Sequence, residues 1–237
     1  MPDLLIIAVL LLAVFTQTVA GFGMAMVAIP LLSGLLPLPQ AVALVTLIGV
    51  MVRFTNVLYY RRNFTVDAIW RLLITTFVGI PLGVIVLENV DGDIVRRVLG
   101  LVIVSYVLYS VFSPQIRLLA RKQAAYGMGL LSGLLAGAYG IGAPPIIMYA
   151  SAQNWEPAEF KANVQAYAGL EGLLVVAAHV IDGNYTPLVL NTFLIALPVS
   201  AVVLLLAVRL DRYIDPALFR KIVLGVLFIS GLRLLLL

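Results

Sequence analysis

Two ionisable side chains stand inside stretches otherwise rich in Leu, Val, Ala and Gly: Glu171 in NVQAYAGLEGLLVVAAH and Arg53 in TLIGVMVRFTNVLYY. Charge is costly in hydrocarbon, so such residues point first to chemistry. A guanidinium attracts an anion; a carboxyl takes up and releases a proton. Arg53 is nearer the end of its stretch, where a long side chain can also snorkel to the interface. Two further stretches, AGFGMAMVAIP at 20–30 and YGIGAPPIIMY at 139–149, put glycine and proline where an apolar helix should continue. A helix that restarts at such a break offers N–H groups with no intrahelical partner and the positive end of its dipole, the ingredients of an anion site. The candidate contacts are Gly21, Phe22 and Gly23 at the first break and Gly140, Ile141, Gly142 and Ala143 at the second. Arg53 is the attracting cation and Glu171 the ion-coupling group, with a proton as the coupling ion. Thr46 and Gln165 are candidate hydrogen-bond donors to the same anion, whereas Gln17, Thr18, Asn56 and Asn163 suit bonds between helices.

The elements that must position these residues are membrane helices. The 237 residues are 63% apolar and 11% charged, with a mean hydropathy of +1.12, outside the range of soluble domains. A span needs about 20 apolar residues, and charge and Pro/Gly clusters divide the chain into eight stretches at 4–36, 40–60, 66–87, 94–112, 124–150, 160–181, 187–208 and 216–237. The first and fifth are the long ones, and they hold the breaks. The N-terminal stretch resembles a signal peptide in length, but it carries Asp3 and no Lys or Arg before its apolar run, which favours a retained segment. Tyr59, Tyr60, Tyr149, Tyr213, Trp70 and Trp155 lie near segment ends and suit an interfacial belt; His179, beside Asp182 at another end, suits the interface as well.

The two halves match in order. AGFGMAMVAIP pairs with YGIGAPPIIMY, RRNFT at 61–65 with DGNYT at 182–186, and RRVLGLV at 96–102 with RKIVLGVL at 220–227, all at a spacing of about 120 residues. The division is an N-terminal repeat at 1–113, a basic cytoplasmic linker at 114–123 and a C-terminal repeat at 124–237. At that offset Thr46 corresponds to Gln165, and Arg53 falls beside Glu171, so the two charges are expected to pair across the interface of the repeats. Basic residues decide how the repeats are oriented. If all eight segments cross, the loop charges split six against seven and give no orientation. If the first and fifth segments return to their own side, ten basic residues (Arg61, Arg62, Arg117, Arg121, Lys122, Lys161, Arg209, Arg212, Arg220 and Lys221) lie inside, against Arg96, Arg97 and Arg233 outside. That obeys the positive-inside rule. Each half then crosses an odd number of times, and the fold is an all-α polytopic membrane protein of two inverted repeats, the first segment of each broken or re-entrant.

Several functional classes lose support. The net charge of +4 comes from single or paired basic residues between apolar runs, with no basic, aromatic-interleaved face for nucleic acid. The absence of cysteine excludes thiolate metal sites, one histidine argues against a histidine-based metal site, and nothing suggests a cofactor. The eleven acidic residues are scattered and form no catalytic motif of a membrane enzyme.

The early GFGMAMVAIPLL together with the central GLLSGLLAGAYGIGAPPIIMY, at this length and with four segments per half, resembles the sulfite exporter TauE/SafE family of bacterial inner-membrane proteins. The resemblance spans essentially the whole chain. It implies a secondary transporter of sulfite, sulfonates such as sulfoacetate, or related anions, driven by an electrochemical gradient in the inner membrane. The central motif departs from the commonest family pattern, three glycines and one proline, because Ala143, Pro144 and Pro145 follow Gly142, and members differ in their ligands. A channel, a membrane-embedded enzyme and an assembly subunit are the competing classes, and a homodimer is left open alongside the lipid and the small anion as partners.

Overall fold

A computed structural model of the protein describes residues 2–20, 23–60, 65–112, 116–153, 155–211, 213 and 215–236. The first apolar stretch forms α1 (Pro2–Ala20) and α2 (Met24–Leu32), followed by α3 (Leu38–Tyr60), α4 (Val66–Asn89) and α5 (Gly92–Phe112). After a 3-10 turn at Arg117–Ala120 come α6 (Ala124–Tyr139) and α7 (Ala143–Ala152), which divide the fifth stretch, and then α8 (Pro157–Ile181), α9 (Pro187–Asp211) and α10 (Pro216–Leu236). At about 1.5 Å per residue, the 24 residues of α4 extend about 36 Å, enough to cross a bilayer core. Among the described residues, stretches of α4, α5, α8 and α9 are long and apolar enough to span.

Lipid-facing and interior surfaces separate cleanly. Phe77, Ile85, Leu101, Leu194 and Ile229 point outward and are exposed, as hydrocarbon permits. The main core gathers Leu10, Ile29, Leu44, Ile48, Leu99 and Ile103 from the N-terminal half with Ala196 and Leu227 from the other. In each half a broken pair of helices precedes three long ones. The pairings exchange in the same way: α3 packs on α8 and α5 on α10, while α1 lies on α9 and α6 on α4.

The closest of these seams is α4 against α6. A methyl group built on Gly133 would stand 2.6 Å from the Thr76 carbonyl oxygen, and one on Gly79 would stand 2.5 Å from that of Leu130. Gly83, Gly129 and Gly137 meet opposing backbone in the same way. Small residues let the two helices touch main chain to main chain, the role expected of GMGLLSGLLAG in lipid, where packing rather than a hydrophobic drive holds helices together.

Candidate functional site

Both breaks are made by glycine in the left-handed region. At the first, Gly23 has φ 99° and caps α2; the Met24 N–H donates to Gln17 Oε1 at 3.2 Å. Gly21 and Phe22 lie outside the described residues. At the second, Gly140 has φ 64° and ends α6, its N–H bonded to the Ala136 carbonyl at 2.7 Å. Residues other than glycine resist this conformation, which accounts for both positions.

After the second break the chain folds back. Ser132 Oγ donates to the Gly142 carbonyl at 2.6 Å, although Ser132 stands seven residues, about 10 Å, before the end of α6. Gln153, just past α7, donates through Nε2 to the Leu119 carbonyl at 2.7 Å, in the turn that leads into α6. The fifth segment therefore enters and returns at the same end, as the distribution of basic residues requires. On the other side α2 packs along α1.

The two breaks open onto one cavity of about 40 Å³. On a measure where one water needs about 10–15 Å³, this holds roughly three waters or one compact oxyanion. Gly23, Met24, Ala25 and Met26 line it from the first break, Gly140, Ile141 and Ala143 from the second, and Gln17, Arg53 and Gln165 complete the wall with apolar neighbours. Of the sequence-derived contacts, Gly23, Gly140, Ile141, Ala143, Arg53 and Gln165 thus meet around one space. Thr46 is buried against Gly140, and its hydroxyl has no hydrogen-bond partner among the described residues.

Gly142 lies behind this rim against Glu171. A methyl group at Gly142 would overlap the Glu171 carboxyl. Glu171 is 2% exposed, and Ser132 Oγ stands 2.7 Å from Oε1, with the Tyr167 hydroxyl at 3.2 Å. Tyr167 in turn lies 2.6 Å from Thr76 Oγ1 on α4. Arg53 does not form the expected ion pair. Its Nη1 donates to the Ala168 carbonyl at 3.2 Å, one turn from Glu171, near enough for the two charges to attract. This releases the guanidinium to line the cavity.

Ser132, Tyr167 and Thr76 were missed by sequence reasoning. One signal was legible: Tyr167 and Glu171 are four residues apart, hence on one helical face. Two other expectations are corrected. Tyr149 is no belt residue; it is buried, edge-on to Trp155, because the returning hairpin packs α7 inside the bundle. His179 is fully buried too, its Nδ1 3.1 Å from Asn184 Nδ2, which also donates to Glu88 Oε1 at 2.9 Å. Nearby, at the exposed end of α8, partial burial and Glu88 push the Asp182 carboxyl up from its usual value. Asn163 holds the Thr65 N–H through Oδ1 at 3.0 Å, and Thr18 bonds the Val14 carbonyl of its own helix. The Asn56, Tyr59 and Tyr60 side chains lie outside the described residues.

The family model described as "Sulfite exporter TauE/SafE" matches residues 5–234. A protein of Cupriavidus necator described as "Probable sulfite/organosulfonate exporter TauE" is 27% identical over 236 residues, covering 94% of this chain and 89% of that protein. No solved structure matches the chain.

Proposed function

The chain belongs to the sulfite exporter TauE/SafE family, a family of transporters rather than enzymes, and from that premise we propose that it carries sulfite and small organosulfonates through the cavity between its two breaks. The observation that carries this reading is the shared cavity with Arg53 on its wall. Each break contributes main-chain donors. On α2 the Met24 N–H is taken by Gln17, and Ala25 and Met26 follow in the first turn. At the second break Pro144 and Pro145 have no N–H, which leaves Ala143 on the cavity wall. A sulfite or sulfonate group presents three acceptor oxygens in a compact pyramid. It fits N–H groups of Ala25, Met26 and Ala143 together with a guanidinium better than a flat carboxylate does.

In this reading the halves are inverted repeats that meet at the bilayer midplane, in a bacterial inner membrane. The anion is held at a site sized for one small solute, which suits a carrier more than a pore, and Glu171 takes up the coupling proton. The test is thermal: a ligand that binds only the native state raises its melting temperature by mass action. Sulfite and methanesulfonate should stabilise the purified protein, acetate should do so much less, and Arg53→Gln should strongly weaken the response. Equal melting curves with and without every anion would refute the site.

A further inference from the structure

Glu171 shares its surroundings with more oxygen contacts than there are hydroxyl protons. Ser132 Oγ is 2.6 Å from the Gly142 carbonyl and 2.7 Å from Glu171 Oε1, and it has one proton. Tyr167 likewise faces both Thr76 Oγ1 at 2.6 Å and Glu171 Oε1 at 3.2 Å. Thr76 reaches the Leu72 and Gly129 carbonyls at 2.8 and 2.9 Å. With an ionised carboxylate, Ser132 must choose between Glu171 and Gly142, and one contact of hydrogen-bond length is left without a proton. With a carboxylic acid, the acid O–H donates to Ser132, Ser132 donates to Gly142, Tyr167 donates to Thr76, and Thr76 donates to a carbonyl. Each of the four shortest contacts then holds one proton.

We infer that Ser132 is a positioning residue that reports the protonation of Glu171 to the main chain of the second break. When Glu171 carries the proton, Ser132 holds the Gly142 carbonyl, and the Ala143 N–H in the same peptide plane is set for the anion. When the proton leaves, Ser132 turns to the carboxylate and releases the carbonyl, whose lone pairs face an anion unfavourably. Gly142 has room for no side chain against the carboxyl, so the backbone itself is the receiver. The other groups around Glu171 do not duplicate this path. Arg53 on α3 is the one cation that acts on the carboxyl among the described residues, and it is bonded to Ala168; α4 brings Thr76 through Tyr167; α7 brings Tyr149, which packs in the cluster around Tyr167.

The inference rests on the anion site proposed above, and its test separates the two. Methanesulfonate, whose charge is constant near neutrality, is the probe, and its affinity for the purified full-length protein is measured by thermal shift on the acid and alkaline sides of neutrality. Wild type should bind it up to about tenfold more tightly on the acid side, the worth of one hydrogen bond. Ser132→Ala should still bind, with the ratio falling below about twofold. Should the alanine variant fail to fold, Ser132→Cys, nearly the same size but a weak donor, should compress the ratio to an intermediate value. A purely structural serine would lower the melting temperature and leave the ratio alone. A full wild-type ratio in either variant overturns the inference and leaves the anion site standing. No binding to wild type at either pH overturns both.

Discussion

The two breaks use one backbone device for different ends. The first is quiet: Gly23 turns the chain, a neutral glutamine side chain caps the new helix, and among the described residues the nearest atom to a methyl group built on Gly23 is Thr16 Cγ2 at 3.8 Å. The second is crowded: Gly142 lies against a buried carboxyl, a serine bridges the two, and a proline pair removes donors from the following turn. In the function proposed above, the two tips share one ligand while only the second is coupled to a proton. The asymmetry lies in the side chains behind the breaks, not in the glycines.

The sharpest way to break this comparison is to add one methyl group to each tip. Gly142→Ala forces the Glu171 carboxyl aside and should destabilise by about 2–3 kcal/mol, with loss of sulfite flux into proteoliposomes. Gly23→Ala meets only backbone resistance and should cost about 1 kcal/mol with flux retained. Equal losses in melting temperature would erase the distinction. Arg53→Gln tests what the tips share, and sulfite affinity measured by calorimetry should fall about tenfold to a hundredfold, the value of a charged hydrogen bond. Glu171→Gln tests what they do not share. The amide donates to Ser132 as the protonated acid does, so the acid-side affinity should persist on the alkaline side, a gain there of up to about tenfold. A retained pH slope in that variant would remove Glu171 from coupling. Gln17→Ala uncaps the quiet tip and should lower stability by about 1 kcal/mol while the pH slope stays as in wild type. The smallest effect is expected at Thr46→Val: without anion the protein should gain about 0.5–1 kcal/mol in a denaturation assay, because an unpaired hydroxyl is gone, and its sulfite affinity should drop a few-fold.

Much of this was legible in the chain. Both tips and the return of the fifth segment followed from clustered glycine and proline in the two overlong stretches together with loop charge, although the same residue types at Gly79, Pro81 and Gly83 leave α4 unbroken. Glu171 stood out because a carboxyl in an apolar helix is costly and must be explained, by a structural ion pair or by transport. Ser132 and Thr76 did not, since a small hydroxyl in such a helix usually bonds its own backbone, as Thr18 does to Val14. Which face of α6 meets α8 is decided by packing across the bundle, and sequence spacing does not reveal it. Tyr149 and His179 were misread for a related reason. Segment ends look alike on paper, but an end enclosed by a hairpin is dry.

The glycine seam between α4 and α6 also limits how the molecule can move. With main chain on main chain at its glycines, the seam resists sliding of one helix past the other, and the second tip, at the end of α6, is expected to stay with α4. A motion that exposes the anion first to one side of the bilayer and then to the other must hinge elsewhere. The α3–α8 seam, where Arg53 grips the Ala168 carbonyl, is where such a hinge would also loosen the hold on the cargo.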